Sequence, residues 1–261
     1  MRFKYWIGIS VLSLMAFISC SDSTKPAGPG RLRLFLTDSP AAYDQVNIVV
    51  TRVDVHLADS DSLSGWTTVN DDSSTYNLLT LRNGANALLG DTTLTAGKYT
   101  QVRLYVGEGS NVVVDGVTHP LDISANNTVM LNHNLDIAPA MVYLLILDFD
   151  AARSIVKTGV GEYKLMPVIR IANLDSVGSI SGIVTPVEAR AEVATLVGTD
   201  TITAFCDTTT GVFRLPIIPA GTYRLNIAST NLSYSDSTIT GVAVVRGYNT
   251  NIGTVVLRQL P

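Results

Sequence analysis

Apolar and polar residues alternate along most of this chain, the two-residue period of strands that bury one face. RLRLFLT at 31–37 is the plainest case, and QVNIVVTRVDVHLA at 45–58 extends it with the β-branched residues that favour extended backbone. The same pattern predicts strands at 98–106 (KYTQVRLYV), 127–137 (NTVMLNHNLDI), 142–149 (VYLLILDF) and 163–174 (YKLMPVIRIANL). In NVVVDGVTHPL, 111–121, Asp115 and Gly116 separate two β-branched runs. That dipeptide predicts a hairpin, because a type I′ turn needs positive φ at both central residues. Helix is expected only over 77–90, where Gly84 interrupts it, and in a short turn that starts at Asp150.

Near 175–178 the pattern changes. A long strand gives way to DSVG, followed by short strands set between turns rich in Gly, Pro, Asn and Asp: SISGIVT, DTITAFCD, VFRLPII, GTYRLNIA, ITGVAVV and NIGTVVL. This spacing predicts a second, smaller sandwich. The expected fold is all-β, two β-sandwich domains in tandem at 31–175 and 177–259.

The N-terminus departs from this pattern. Residues 1–20 open with Arg2 and Lys4, run apolar over 6–18 and reach Ser19 and Cys20. The apolar run is shorter than the roughly 20 residues a membrane span needs, so 1–19 is read as a signal peptide. A small residue followed by cysteine resembles the bacterial lipoprotein processing site, with Phe17 standing where leucine is usual. The resemblance implies that Cys20 is lipidated and that 20–30 is a flexible tether to the membrane. Ser21, in place of an Asp after the cysteine, implies the outer membrane of the bacterial cell envelope.

Composition narrows the possibilities. The 261 residues, 46% of them hydrophobic, can bury one large core or two modest ones. The net charge is −4, and loss of 1–19 would remove two basic residues and no acidic one, so nothing attracts nucleic acid. With Cys20 lipidated, Cys206 has no partner for an intramolecular disulfide. Its setting in TITAFCDT makes it a small buried apolar residue.

Two families resemble parts of the chain. The phrases LTDSPAAYDQVNIVVTRVDVH (36–56), AGKYTQVRLYV (96–106) and LDFDAARSIV (147–156), then KLMPVIRI, resemble a bacterial lipoprotein family known as domain of unknown function 4382. That likeness implies architecture and location. GSISGIV, TTTGVFRLPIIPAGTYRLNI (208–227) and GVAVVRGYNTNIGTVVL resemble the carboxypeptidase regulatory-like, or transthyretin-like, family. PAGTYRL, 219–225, is the most characteristic piece, and the resemblance implies a non-catalytic sandwich.

Candidate chemistry is sparse. The chain has no nucleotide-binding glycine loop, no HExxH and no paired CxxC, and in GSISG Ile180 takes the place a nucleophilic serine would need. His56, His119 and His133 each stand alone in strand-like sequence, and DSDSLSG (59–65) puts Leu63 and Ser64 where a calcium loop needs a ligand and a glycine. LLILDFDAARSIV, 144–156, is the better question. Asp148 and Asp150, two apart in a strand, share a face, and Asp38 and Asp44 flank another corner.

Three readings of these acids stay open. If the corners meet, Asp38, Asp44, Asp148 and Asp150 could offer oxygens to Ca²⁺, which takes about six to eight. In a structural corner, Asp150 caps the following turn and Arg153 neutralises Asp148 or Asp38. A glycosidase pair needs carboxylates about 5–9 Å apart. It also needs aromatic subsites, and Trp66 is the one tryptophan beyond the signal. No catalytic residue and no metal site is assigned.

The function expected is a non-enzymatic, lipid-anchored scaffold or binding module whose partner is an envelope protein or glycan. Alternatives are an adhesin or fimbria-like subunit and a carbohydrate-active hydrolase using Asp148 or Asp150.

Overall fold

The structure is a computed structural model and describes residues 28–39, 41–123 and 127–261. The expected signal peptide, Cys20 and most of the tether lie outside the described residues. Among the described residues no helix is long and apolar enough to cross a membrane. The chain is all-β, built from β-sandwiches.

Residues up to Asn173 make two sheets. The smaller has four strands in the order Ile169–Asn173, Val142–Asp150, Pro29–Ser39, Ala87–Thr95. Its central pair is parallel, in register from Arg31 opposite Val142 to Ser39 opposite Asp150. The larger sheet has nine strands around Gln45–Leu57, whose 13 residues are long enough to pair with two strands on each side. Ser74–Asn77 and Trp66–Asn70 share one side; Asn111–Val114 and Gly97–Val106 share the other.

Alternation explains how these sheets close on each other. Leu32, Leu34 and Leu36 face inward with Leu145, Leu147 and Phe149 of the parallel neighbour, all at most 1% exposed, and Val46, Ile48, Val53 and Val55 meet them from the large sheet. Burying each such side chain contributes about 1.5–3 kcal/mol. Arg31 and Arg33, on the other face of the same strand, reach Asp91 instead.

The second core is separate. A three-stranded sheet (Val212–Pro219, Val177–Thr185, Asn249–Val256) covers a four-stranded one (Asp200–Phe205, Glu192–Val197, Gly221–Ala228, Ser237–Val244), with Ile180, Phe213, Leu215, Val193, Leu225 and Ile227 between them.

Where the two units meet, Ile146, Val177 and Ile217 form a small apolar cluster with Phe35, Ala172 and Leu174. The ladder between Val177–Thr185 and Val212–Pro219 shifts register between Gly178 and Ile180, and Ile217 adopts φ 56° there. Positive φ is rare for a β-branched residue, and a bulge of this kind re-aims a side chain. Here it turns Ile217 onto the outer face of the first small sheet.

Local expectations met different outcomes. Asp115 and Gly116 have φ 51° and 75° between strands Asn111–Val114 and Val117–Ile123, the hairpin turn read from the sequence. The helix expected over 77–90 is a single 3-10 turn, Leu78–Leu81, followed by strand Ala87–Thr95. Asn77 caps that turn by accepting from Leu79 N–H, and Asn83 and Gly84 both take positive φ, which ends it.

Candidate functional site

The two carboxylates of 144–156 and Asp38 of the neighbouring strand have three different tasks. Asp150 ends strand Val142–Asp150 in extended backbone and caps the four-residue helix Ala151–Ser154. One of its oxygens accepts the Arg153 N–H at 2.9 Å, and the other accepts from Arg153 Nε at 2.6 Å. Arg153 is thus spent locally, three residues from its partner.

Asp148 is 1% exposed and forms an ion pair with Arg170, its neighbour across the antiparallel ladder to Ile169–Asn173. Arg170 escapes a reading along one strand because it arrives from another, 22 residues on.

Asp38 is the unusual member. It lies at the inward-facing position after Leu36, opposite Phe149 in the parallel register, and is 1% exposed. Its Oδ1 accepts the Ala151 N–H at 3.1 Å, while Oδ2 has no hydrogen-bond partner. Burial pushes its carboxyl up to about 8; the Ala151 N–H opposes this, the charges of Asp148 and Asp150 add to it, and Arg82 opposes it. A carboxyl in such surroundings is held neutral at pH 7, which removes the cost of an isolated buried charge.

Asp44 lies elsewhere. Its Oδ2 accepts the Gly116 N–H at 2.8 Å and braces the Asp115–Gly116 turn. The four acids weighed as calcium ligands therefore do not form one set, and among the described residues no group of three or more His, Cys, Asp or Glu could hold a metal ion.

The remaining single candidates are embedded. His56 Nε2 lies 3.2 and 3.0 Å from the Asp61 and Ser64 carbonyls, so it donates, and its ring packs on Trp66 at 4.7 Å. His119 packs on Tyr163 at 5.1 Å. Burial lowers the basicity of His133 and pushes the Cys206 thiol up to about 11, far from a reactive thiolate at neutral pH.

A second constellation covers the outer face of the nine-stranded sheet. Asp54, fully buried, accepts from Arg52 Nε at 2.6 Å, Arg103 Nη2 at 2.9 Å and Thr68 Oγ1 at 3.0 Å. Burial alone would raise its carboxyl, and those three hydrogen bonds together with the Arg52 charge hold it below the usual range. The Arg103 guanidinium stacks 3.8 Å from the Trp66 ring centroid and 5.0 Å from that of Tyr105, and Arg52 lies 5.7 Å from Tyr105. Asp54 faces Thr68 on one side and Arg103 on the other in the ladder, so strand register assembles the group. The usable signal was R-V-D-V-H beside V-R-L-Y-V: charged and aromatic residues two apart on the solvent side of neighbouring strands.

The scan of protein families decides the membership of the first unit: the model described as "Domain of unknown function (DUF4382)" matches residues 29–167, more than half of the chain. The chain belongs to the DUF4382 family. The match contains Asp38, the Ala151–Ser154 turn and the Arg52–Asp54–Arg103 group alike.

The search of the curated proteins found no match. Among solved structures, a type II cohesin–X-dockerin complex from Acetivibrio cellulolyticus is 22% identical over 31% of this DUF4382 chain, with TM-score 0.26. This chain spans only 58% of that one's length. A putative adhesin from Bacteroides ovatus aligns over 97% of this chain and 100% of its own at 10% identity and TM-score 0.25. The minor pilin GBS52 of Streptococcus agalactiae aligns over 88% and 96% at 11% identity and TM-score 0.25. Scores this low carry no shared function.

Proposed function

We propose that this DUF4382 protein is a non-enzymatic binding module of the bacterial envelope, anchored in the outer membrane through lipidated Cys20. In this reading 1–19 is a signal peptide, 20–30 is the tether, 31–175 is the family sandwich and 177–259 is a carboxypeptidase regulatory-like sandwich. The observation that carries it is the division of the acidic groups. Asp38, Asp148 and Asp150 are committed to a buried carboxyl, an ion pair and a helix cap, so none of these three is left to serve as the acid–base pair of a hydrolase.

The Arg52–Trp66–Arg103–Tyr105 face, by contrast, is fixed by Asp54 and open to solvent at Arg52. Stacked guanidinium and indole groups of this kind bind without reacting. The partner class we assign to it is an envelope glycan.

Co-sedimentation tests both parts. The full chain should partition with outer membranes and Cys20→Ala should be released from them. The released protein should pellet with insoluble envelope polysaccharide, and Trp66→Ala with Arg103→Ala should lower that fraction about tenfold. Membrane retention of Cys20→Ala would contradict the anchor. Glycan cleavage, or pelleting unchanged in the double variant, would contradict the binding role.

A further inference from the structure

We infer a second ligand site, for a sugar carboxylate, in the cleft between the two units, centred on Arg214. The cleft encloses about 350 Å³ beside the Ile146–Val177–Ile217 cluster, within the lower part of the range typical of small-molecule sites (about 300–1,000 Å³). It is walled by both units: Thr37, Gly84 and Asn86 from the first, Ser179, Arg214 and Tyr248 from the second.

Arg214 is the one charged residue in that wall, and among the described residues no carboxylate pairs with it. It is nonetheless firmly placed. Arg214 Nη2 donates to Ser179 Oγ at 3.0 Å, the Ser179 hydroxyl donates in turn to Asn249 Oδ1 at 2.9 Å, and Asn249 Nδ2 donates to Ser181 Oγ at 2.8 Å. Gly84, at φ 91°, packs so closely that a Cβ there would lie 3.0 Å from Arg214 Cδ and Nε, and Arg214 Nε is buried without an acceptor. A rigid, half-buried guanidinium without a counter-charge is a preformed receptor whose N–H groups donate to an anion.

The surroundings select among anions. A single guanidinium balances one negative charge and matches a planar carboxylate, whereas a phosphate dianion calls for more positive charge than this wall holds. Asn86 and Tyr248 also line the cleft, neither side chain has a hydrogen bond to the rest of the described protein, and Tyr248 is 70% exposed. An asparagine and a tyrosine beside one arginine suit a hydroxylated ring bearing one carboxylate, that is, a uronic acid. The site is independent of the Arg103–Trp66 face and of the lipid anchor.

Calorimetric titration of the full chain in detergent, at fixed ionic strength, tests this with galacturonate, galactose, acetate and inorganic phosphate as probes. Galacturonate should bind at least tenfold more tightly than the other three, and Arg214→Gln should lower its affinity about tenfold or more. Tyr248→Ala, at an exposed position that folding tolerates, should weaken galacturonate while leaving acetate unchanged. Binding of galacturonate equal in wild type and Arg214→Gln, phosphate binding as tight as galacturonate, or no heat from galacturonate at millimolar concentration would each overturn the site.

Discussion

Raising the pH from about 4 to 8 should destabilise this protein, and Asp38→Asn should abolish most of the slope. Asp38 titrates near its ordinary carboxylate value in the unfolded chain and at about 8 in the folded one, chiefly because it is buried. Between those limits the folded state holds a proton that the unfolded state has released. Stability is therefore full below the unfolded value and falls as pH rises, by roughly 1.4 kcal/mol per pH unit at most, until the folded carboxyl ionises. An asparagine keeps the oxygen that accepts the Ala151 N–H and cannot ionise. Urea melts at pH 4 and pH 9 should show Asp38→Asn close to wild type at the lower pH and several kcal/mol more stable at the higher. A parallel loss in both proteins would remove Asp38 as the source.

Phe149→Ala should cost about 3–5 kcal/mol, as for other buried aromatic side chains cut to the β-carbon. Phe149 is among the largest fully buried side chains and stands opposite Asp38 in the parallel ladder, both on the core side. It therefore packs the core and helps to seal the carboxyl. Opening a cavity there admits water to Asp38, so the pH slope of Phe149→Ala should be shallower than that of wild type. A variant that loses stability but keeps the full slope would show that Phe149 fills space without controlling the acid.

Much of this was legible in single strands. The alternation in 31–37 names the inward leucines and the outward arginines, and Asp115–Gly116 names its turn, because both signals are local. What was hidden depends on which strands meet. Arg170 reaches Asp148, and Arg103 reaches Asp54 49 residues away, only because the ladders set them opposite each other. Strand Glu192–Val197 was missed in the second unit: Glu192 and Ala194 are poor strand formers that dilute Val193, Thr195 and Val197, and pairing on both sides fixes it as a central strand. Residues 77–90 misled in the opposite direction. Leu78, Leu79 and Leu81 suit a helix, but Gly84 and the need to pair Ala87–Thr95 with Pro29–Ser39 end it after one turn.

The corner at 144–156 thus reads as a joint. Asp150 starts the turn, the turn presents the Ala151 N–H to Asp38, and Arg170 locks Asp148 on the outer face. This joint holds the first strand to its parallel neighbour, and the binding surface we propose lies elsewhere.

Thermal melts in EDTA and in millimolar Ca²⁺ test that division most directly. A structural joint predicts the same melting temperature in both conditions, for wild type and for Asp150→Asn alike. A melting temperature that falls in EDTA, recovers with Ca²⁺ and loses this response in Asp150→Asn would make the corner a metal site instead.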